Sequence, residues 1–286
     1  MAGSVDFAEV SCIDSRSVGG HALTLDDLTE LADQVRHASQ ARADGVVITQ
    51  GTDTIEETAY AIALLVDTAI PVVITGAMRA PQDAGADGPA NLQAALRVAS
   101  DPRAAGLGPL VVIQDEVHAA RTVVKLHTGR VAAFGSPGRG PIGSVMEGRV
   151  ALHPCSAPSD FLGQPDRLTR RVELVWTAVG CDGTAVESAA SYCEGIVVAA
   201  LGGGNVPPAV VPSLARAVES GVAVVLASRC AAGPVLTRSY GGPGTDGDLR
   251  AIGVVPAGEL SAIKARLRLL VALELGMRAH EAFPVG

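Results

Sequence analysis

Residues 45–66 read GVVITQGTDTIEETAYAIALLV, and this stretch decides the fold. Val46, Val47 and Ile48 make a continuous apolar run of strand length, rich in β-branched side chains, as a buried strand requires. Gln50 to Thr54 supply turn chemistry, and Ile55, Ala59, Ile62, Ala63 and Val66 then fall on one helical face. The reading is strand, tight turn, helix. The unit recurs as strand Val72 to Thr75, loop Gly76 to Gly88, a helix from Pro89 to Ser100 with proline in its first turn, and strand Leu110 to Ile113. Strands alternating with helices predict a parallel α/β sheet.

Working outward, Thr24-Leu25-Asp26-Asp27 reads as a capping box opening a helix that runs to about Ala38. Between Gly135 and Ala151 the segments shorten around Met146-Glu147-Gly148-Arg149, which suggests a hairpin instead of another crossover. Residues 153–170 hold three prolines, a Ser-Ala-Pro-Ser run and little periodicity, the composition of a linker. A second α/β series follows, with strands at Val172 to Thr177, Gly195 to Leu201 and Val222 to Ala227, and helices at Pro208 to Ser220 and Ser261 to Leu275. The expected organisation is a larger, mostly parallel first domain over 1–152, a linker over 153–170 and a smaller α/β domain over 171–286.

Composition narrows the function classes. With 286 residues, 48% of them apolar, the chain buries too much for disorder. A formal net charge of −8, with no basic cluster interleaved with aromatics, sets aside nucleic acid and acidic membrane surfaces as partners. The five cysteines, at 12, 155, 181, 193 and 230, are odd in number and lack C-x-x-C spacing, so they are expected to be buried small hydrophobes in a reducing compartment. The six histidines are scattered without zinc spacing, and neither a metal nor an organic cofactor is assigned. Met1 precedes no basic and apolar leader and no run reaches membrane length, so the expected location is cytoplasmic.

In open α/β sheets ligands sit beyond the carboxyl ends of strands, and the Thr49 to Thr54 turn lies there. A plain reading is that Asp53 or Thr54 caps the following helix, which leaves Thr52 without a structural job. A threonine hydroxyl is a weak nucleophile and needs a base; a lysine oriented by a carboxylate can supply one. Lys125 is one of only two lysines, the other being Lys264 on the expected last helix, while arginine supplies the remaining side-chain cations and cannot shed a proton. The competing reading of Lys125 is an ordinary surface cation.

The segment VVITQGTDTIEETAYAIALLV with PVVITGAMRAPQDAGADGPANLQAAL after it resembles the bacterial L-asparaginase/glutaminase family, whose second threonine motif reads G-T-D-T-x-E-E-T-A. The resemblance continues through VVKLHTGRVAAF and GPIG, and in the second domain through IVVAALGGGNVPP and SRCAAGPV, so it spans the chain from about Val10 onward. It implies a two-domain asparaginase-like α/β fold and an amidohydrolase. Asparagine, or glutamine, would become the acid and ammonia through a threonine-bound acyl intermediate, without metal or organic cofactor. Residue by residue, Thr52 matches the family's second catalytic threonine and Lys125 its catalytic lysine. Asp53 matches the aspartate that binds the substrate ammonium and supports that lysine. Ser15, in Asp14-Ser15-Arg16, matches the serine holding the α-carboxylate, and Asn205 matches an asparagine that completes a neighbouring subunit's site. A homo-oligomer, tetramer or dimer, is implied with it.

The sequence also departs from the family. The strand ending in T-G-G-T-I, whose first threonine is the family's acylated nucleophile, and the lid after it have no counterpart, which bears on whether this chain turns over; Ser17-Val18-Gly19-Gly20 reads as a loop, and Thr24 as a cap. The expectation is a family member whose first strand and lid are missing, through a start that lies further upstream. Gln50 stands where histidine is frequent, and Arg16 either adds a donor to the substrate carboxylate or points to solvent. Gly202-Gly203-Gly204 lacks G-x-G-x-x-G spacing and reads as a tight turn. Two other functions compete with the hydrolase: a catalytically inactive protein of this fold that binds aspartate or asparagine, and a subunit feeding ammonia to an amidotransferase partner.

Overall fold

A computed structural model describes residues 2–153 and 159–284. It divides into two units, Met1–Gln164 and Pro165–Gly286. In the first, β1 (Ala2–Val5) and β2 (Ala8–Ser11) pair antiparallel as a sheet of their own. Helix α1 (Leu25–Gln40) follows, and its start is the expected capping box: the Asp27 amide donates to Thr24 Oγ1 and the Thr24 amide to the Asp27 carboxylate. Then come β3 (Val46–Thr49), α2 (Ile55–Leu65), β4 (Val72–Thr75), α3 (Gly88–Ala99) and β5 (Leu110–Ile113). The pairs β3–β4 and β4–β5 are parallel.

Here the sheet departs from the sequence expectation of a mostly parallel domain. β6 (Glu116–Ala119) folds back antiparallel on β5, and β9 (Gly143–Met146) and β10 (Arg149–Leu152) extend the sheet in the order β10-β9-β6-β5-β4-β3. The sheet is mixed, with parallel pairing confined to β3, β4 and β5. The cause is local: Gln114 and Asp115 join β5 to β6 with φ values of 53° and 61°, the positive-φ pair of a two-residue hairpin. Between β6 and β9, β7 (Val124–Lys125) and β8 (Phe134–Gly135) form a separate antiparallel pair.

Strands β4 and β5 are buried along their whole length, while β3 sits at the sheet edge and is half-buried at Val46, Val47 and Ile48. On one face Val73, Leu110, Val112, Val117 and Val145 join Ala94, Ala95 and Val98 of α3 in a common cluster. Alternation along a strand turns Val72, Ile74 and Val111 to the other face, where α2 lies against β4 and β5. Each such Val, Leu or Ile contributes about 1.5–3 kcal/mol by leaving water. The Thr52 loop therefore leaves a sheet whose neighbouring strand is fixed on both faces.

The second unit is a four-stranded parallel sheet in the order β11-β12-β13-β14, formed by β11 (Val172–Trp176), β12 (Gly195–Ala200), β13 (Ala223–Ser228) and β14 (Val255–Pro256). Helices α4 (Thr184–Ala190) and α5 (Val211–Glu219) cover one face through Val186, Ala189, Leu214 and Ala217 against Ile196, Val198 and Leu226. α6 (Asp246–Ala251), α7 (Ala262–Glu274) and α8 (Ala279–Ala282) complete the unit, α7 packing on β11, β12 and β13. Within the segment read as a linker, Leu162 and Thr169 are tied each to its own unit. Leu162 N–H donates to Leu64 O at 2.9 Å, and Thr169 N–H donates to Glu274 Oε2 at 2.6 Å.

The cysteine expectation needs correction. Cys193 is buried as expected, but Cys181 is half-buried and Cys12 and Cys230 are exposed. Cys12 immediately follows the two-stranded β1–β2 sheet and Cys230 lies in the loop after β13, outside the core clusters. Cys155, with the stretch 154–158 of the expected linker, falls outside the described residues.

Candidate active site

Three side chains that sequence chemistry singled out converge. Thr52 opens a short 3₁₀ turn, Thr52–Thr54, between β3 and α2, beyond the carboxyl end of β3. Lys125 ends β7 and brings Nζ to the same place, 3.0 Å from Thr52 Oγ1 and 2.9 Å from Asp53 Oδ1, donating to both. The Lys125 side chain keeps only 15% of its exposure while that of Asp53 keeps 60%. The amine is thus shielded and held, and the carboxylate remains open to a ligand. A surface cation would show the reverse, so the competing reading of Lys125 fails.

The helix-cap reading of this turn fails too. No side-chain hydrogen bond caps α2; the Asp53 carboxylate goes to Lys125, and the Thr54 hydroxyl donates to Gly20 O at 3.0 Å. Lys125 holds the Asp53 carboxyl below its ordinary value, first through the hydrogen bond and then through its charge, with a smaller contribution from His21 and against the effect of burial. Asp53 is therefore ionised, and its exposed carboxylate can accept from a further cationic group as well as from Lys125.

The turn is braced by a segment whose role the sequence did not disclose. A Cβ placed on Gly20 would come within 2.9 Å of Gly51 O, and one on Gly51 within 3.0 Å of Gly20 N, so the two backbones meet only because both residues are glycine. The half-buried Gln50 donates to Thr54 Oγ1 at 3.3 Å from the other side. The Gly19-Gly20 pair was the available signal, but nothing local to it names residue 51 as its partner.

Other residues read from the sequence make contacts of their own. Ser15 Oγ accepts from Gln34 Nε2 of α1 at 2.8 Å. Arg16 is exposed, as one of its two readings has it, and its Nε also lies 2.7 Å from Asp27 Oδ1, pairing with the carboxylate of the capping box. Asn205 belongs to the second unit, where its amide and carbonyl bridge Leu201 and close the turn through Gly202, Gly203 and Gly204. In the loop after β4, Asp87 accepts from the Met78 and Arg79 amides and from Asn91 Nδ2 at 2.9–3.0 Å. Burial opposes its ionisation, but these hydrogen bonds outweigh it and hold its carboxyl below the ordinary range. This order in the Gly76 to Gly88 loop was not legible beforehand. Among the described residues no three His, Cys, Asp or Glu side chains gather as a metal ion would require. No helix among them is long and apolar enough to cross a membrane.

A mixed sheet followed by a parallel one, with a hydroxyl, an amine and a carboxylate gathered at a strand's carboxyl end, defines a two-domain α/β protein with a candidate active site beyond β3. Comparison with known proteins agrees. Residues 1–156 match the family model described as "Asparaginase, N-terminal", and residues 171–282 match the "Glutaminase/Asparaginase C-terminal domain". The chain is 43% identical over 236 residues to a "Probable L-asparaginase" of Deinococcus radiodurans, covering 82% of this chain and 72% of the relative. It is 33% identical over 253 residues to an "L-asparaginase" of Bacillus licheniformis, covering 88% and 78% of the two chains. It is 33% identical over 275 residues to a "Glutaminase-asparaginase" of Pseudomonas aeruginosa, covering 94% and 74%. The chain belongs to the asparaginase family, and its architecture is the two-domain asparaginase fold.

Proposed function

We propose that this protein is an L-asparaginase-type amidohydrolase that converts asparagine to aspartate and ammonia, with glutamine as a second substrate. The observation that carries the reading is the pair of contacts from Lys125 Nζ to Thr52 Oγ1 and Asp53 Oδ1, 3.0 and 2.9 Å long. Family membership and the names of the relatives support the substrate class; the relative named for both activities supports including glutamine.

The roles follow from chemistry. A threonine hydroxyl attacks the side-chain amide carbon, and its proton is passed to the departing nitrogen, so that ammonia leaves and an ester remains. Water then attacks the ester and releases the acid, restoring the hydroxyl. On the family resemblance the acylated hydroxyl is that of the first threonine; Thr52, the second, is the hydroxyl in contact with the amine, and Lys125 is the group through which the proton moves. Asp53 orients Lys125 and binds the substrate ammonium. Ser15 is assigned to the α-carboxylate, and Asn205 to the site of a neighbouring copy in a homo-oligomer, both on the family resemblance. The proposed compartment is the cytoplasm.

The test is ammonia release from L-asparagine and from L-glutamine by the wild-type chain and by Thr52→Ala. Wild-type turnover that falls at least about 10²-fold in Thr52→Ala, the scale of a lost proton-transfer step, is the expected result. Equal turnover in both proteins would reject the role of Thr52. Binding of aspartate by a wild-type chain with no turnover would favour the inactive-binder reading instead.

A further inference from the structure

Lys125 is carried by a strand of two residues, Val124–Lys125, which pairs with Phe134–Gly135 in a two-stranded sheet and, among the described residues, stands outside the six-stranded sheet. An isolated two-stranded hairpin is marginal in water, so something else must fix the amine to within about 3 Å of its partners. At the open end of this hairpin the strands are joined by side chains. Thr122 Oγ1 donates to Ser136 Oγ at 3.1 Å, one position beyond the Val124–Gly135 pair on the Ser136 side. Ser136 Oγ in turn lies 3.0 Å from His118 Nδ1, and His118 Nε2 lies 3.1 Å from Glu116 Oε2.

His118 and Glu116 belong to β6, which is paired on both sides inside the main sheet. His118 is 1% exposed and Ser136 6%, whereas Glu116 reaches solvent. One assignment of hydrogens satisfies the chain: Thr122 donates to Ser136, Ser136 donates to an unprotonated Nδ1, and Nε2–H donates to Glu116. Burial favours this neutral ring, holding His118 below its ordinary pKa against the pull of Glu116. The same segment is pinned a second time, where Arg121 pairs with Asp160 and Tyr60 Oη donates to Asp160 at 3.1 Å.

We infer that His118 is a positioning residue for Lys125: through Ser136 and Thr122 it ties the hairpin carrying the amine to the rigid strand β6. The inference rests on the amidohydrolase function proposed above for its kinetic consequence, but not for its structural one. Misplacing a reacting group by about 1 Å can cost on the order of 10²-fold in rate, while ground-state binding is less affected.

The experiment uses the full chain and three variants: His118→Leu, Thr122→Val and His118→Asn. Two readouts are taken on each, steady-state ammonia release and the 13Cε resonance of Lys125 in protein labelled with 13C-lysine, which the two-lysine composition makes easy to assign. His118→Leu and Thr122→Val should lower kcat by about tenfold or more with KM within about twofold, and should shift the Lys125 resonance. His118→Asn, whose amide oxygen takes the acceptor place of Nδ1, should recover much of both. Should His118→Leu not fold, Thr122→Val, which preserves shape and removes only the hydroxyl, decides the matter. A folded Thr122→Val chain with wild-type kcat and an unmoved Lys125 resonance overturns the inference. A wild-type chain releasing no ammonia overturns the proposed function alone, and the lysine resonance then decides the positioning role.

Discussion

Asp53 carries two duties with one carboxylate, and its titration shows how they are linked. Lys125 lowers its folded pKa below the ordinary value of about 3.9, so its stabilising contact is fully present above that value and is lost as pH falls through the depressed one. With most of the Asp53 side chain in water the contact adds little to stability, and its importance is positional. Lys125→Met should therefore raise the Asp53 titration toward about 3.9, followed by NMR of the carboxyl carbon and assigned with Asp53→Asn. An unmoved titration would mean that the ion pair is absent in solution. Asp53→Asn should lower kcat/KM by roughly 10–10²-fold, as expected when a charged hydrogen bond to a substrate ammonium is replaced by a neutral one. At this scale residue type carried the information: Thr52 had no structural duty and Lys125 was one of two residues of its kind. What type could not supply was the partner of Thr54, because Gly20 offers it only a backbone carbonyl.

Among the elements, those whose physics is local were legible and those fixed by distant partners were not. The four-residue runs at Val72–Thr75 and Leu110–Ile113 are strands as read, since a short apolar β-branched run has few alternatives. Strand β6 was missed because Gln114-Asp115 lacks the glycine that usually announces a two-residue hairpin, and its positive-φ backbone is held by flanking strands. The short α4 and α6 were missed too, their six or seven residues giving too little periodicity. Two substitutions test this level. Thr24→Ala should cost about 1 kcal/mol in urea denaturation by deleting the cap of α1, with activity retained. Gly76→Ala acts differently: a Cβ there would lie 2.5 Å from Gln50 O and 3.2 Å from Thr52 Cγ2, so the Thr52 turn must shift. A larger loss of kcat than of melting temperature is expected for Gly76→Ala; unchanged turnover would show that the turn tolerates displacement.

At the scale of the whole molecule the chain behaves as two cores read in succession. Each unit closes its own sheet with its own helices, and the contact boundary falls between Gln164 and Pro165. The mixed character of the first sheet was not visible, since antiparallel return is decided by one turn. Assembly is the level at which Asn205 acts in the proposed function: mixing Thr52→Ala with Asn205→Ala chains should restore part of the turnover that neither has alone, and no recovery would confine each site to its own copy. The measurement closest to the centre of the account is ammonia release from L-asparagine by the wild-type chain and by Lys125→Met, with folding matched by circular dichroism. Turnover is expected in the first and a loss of at least about 10²-fold in the second. Equal rates from the two proteins would contradict it.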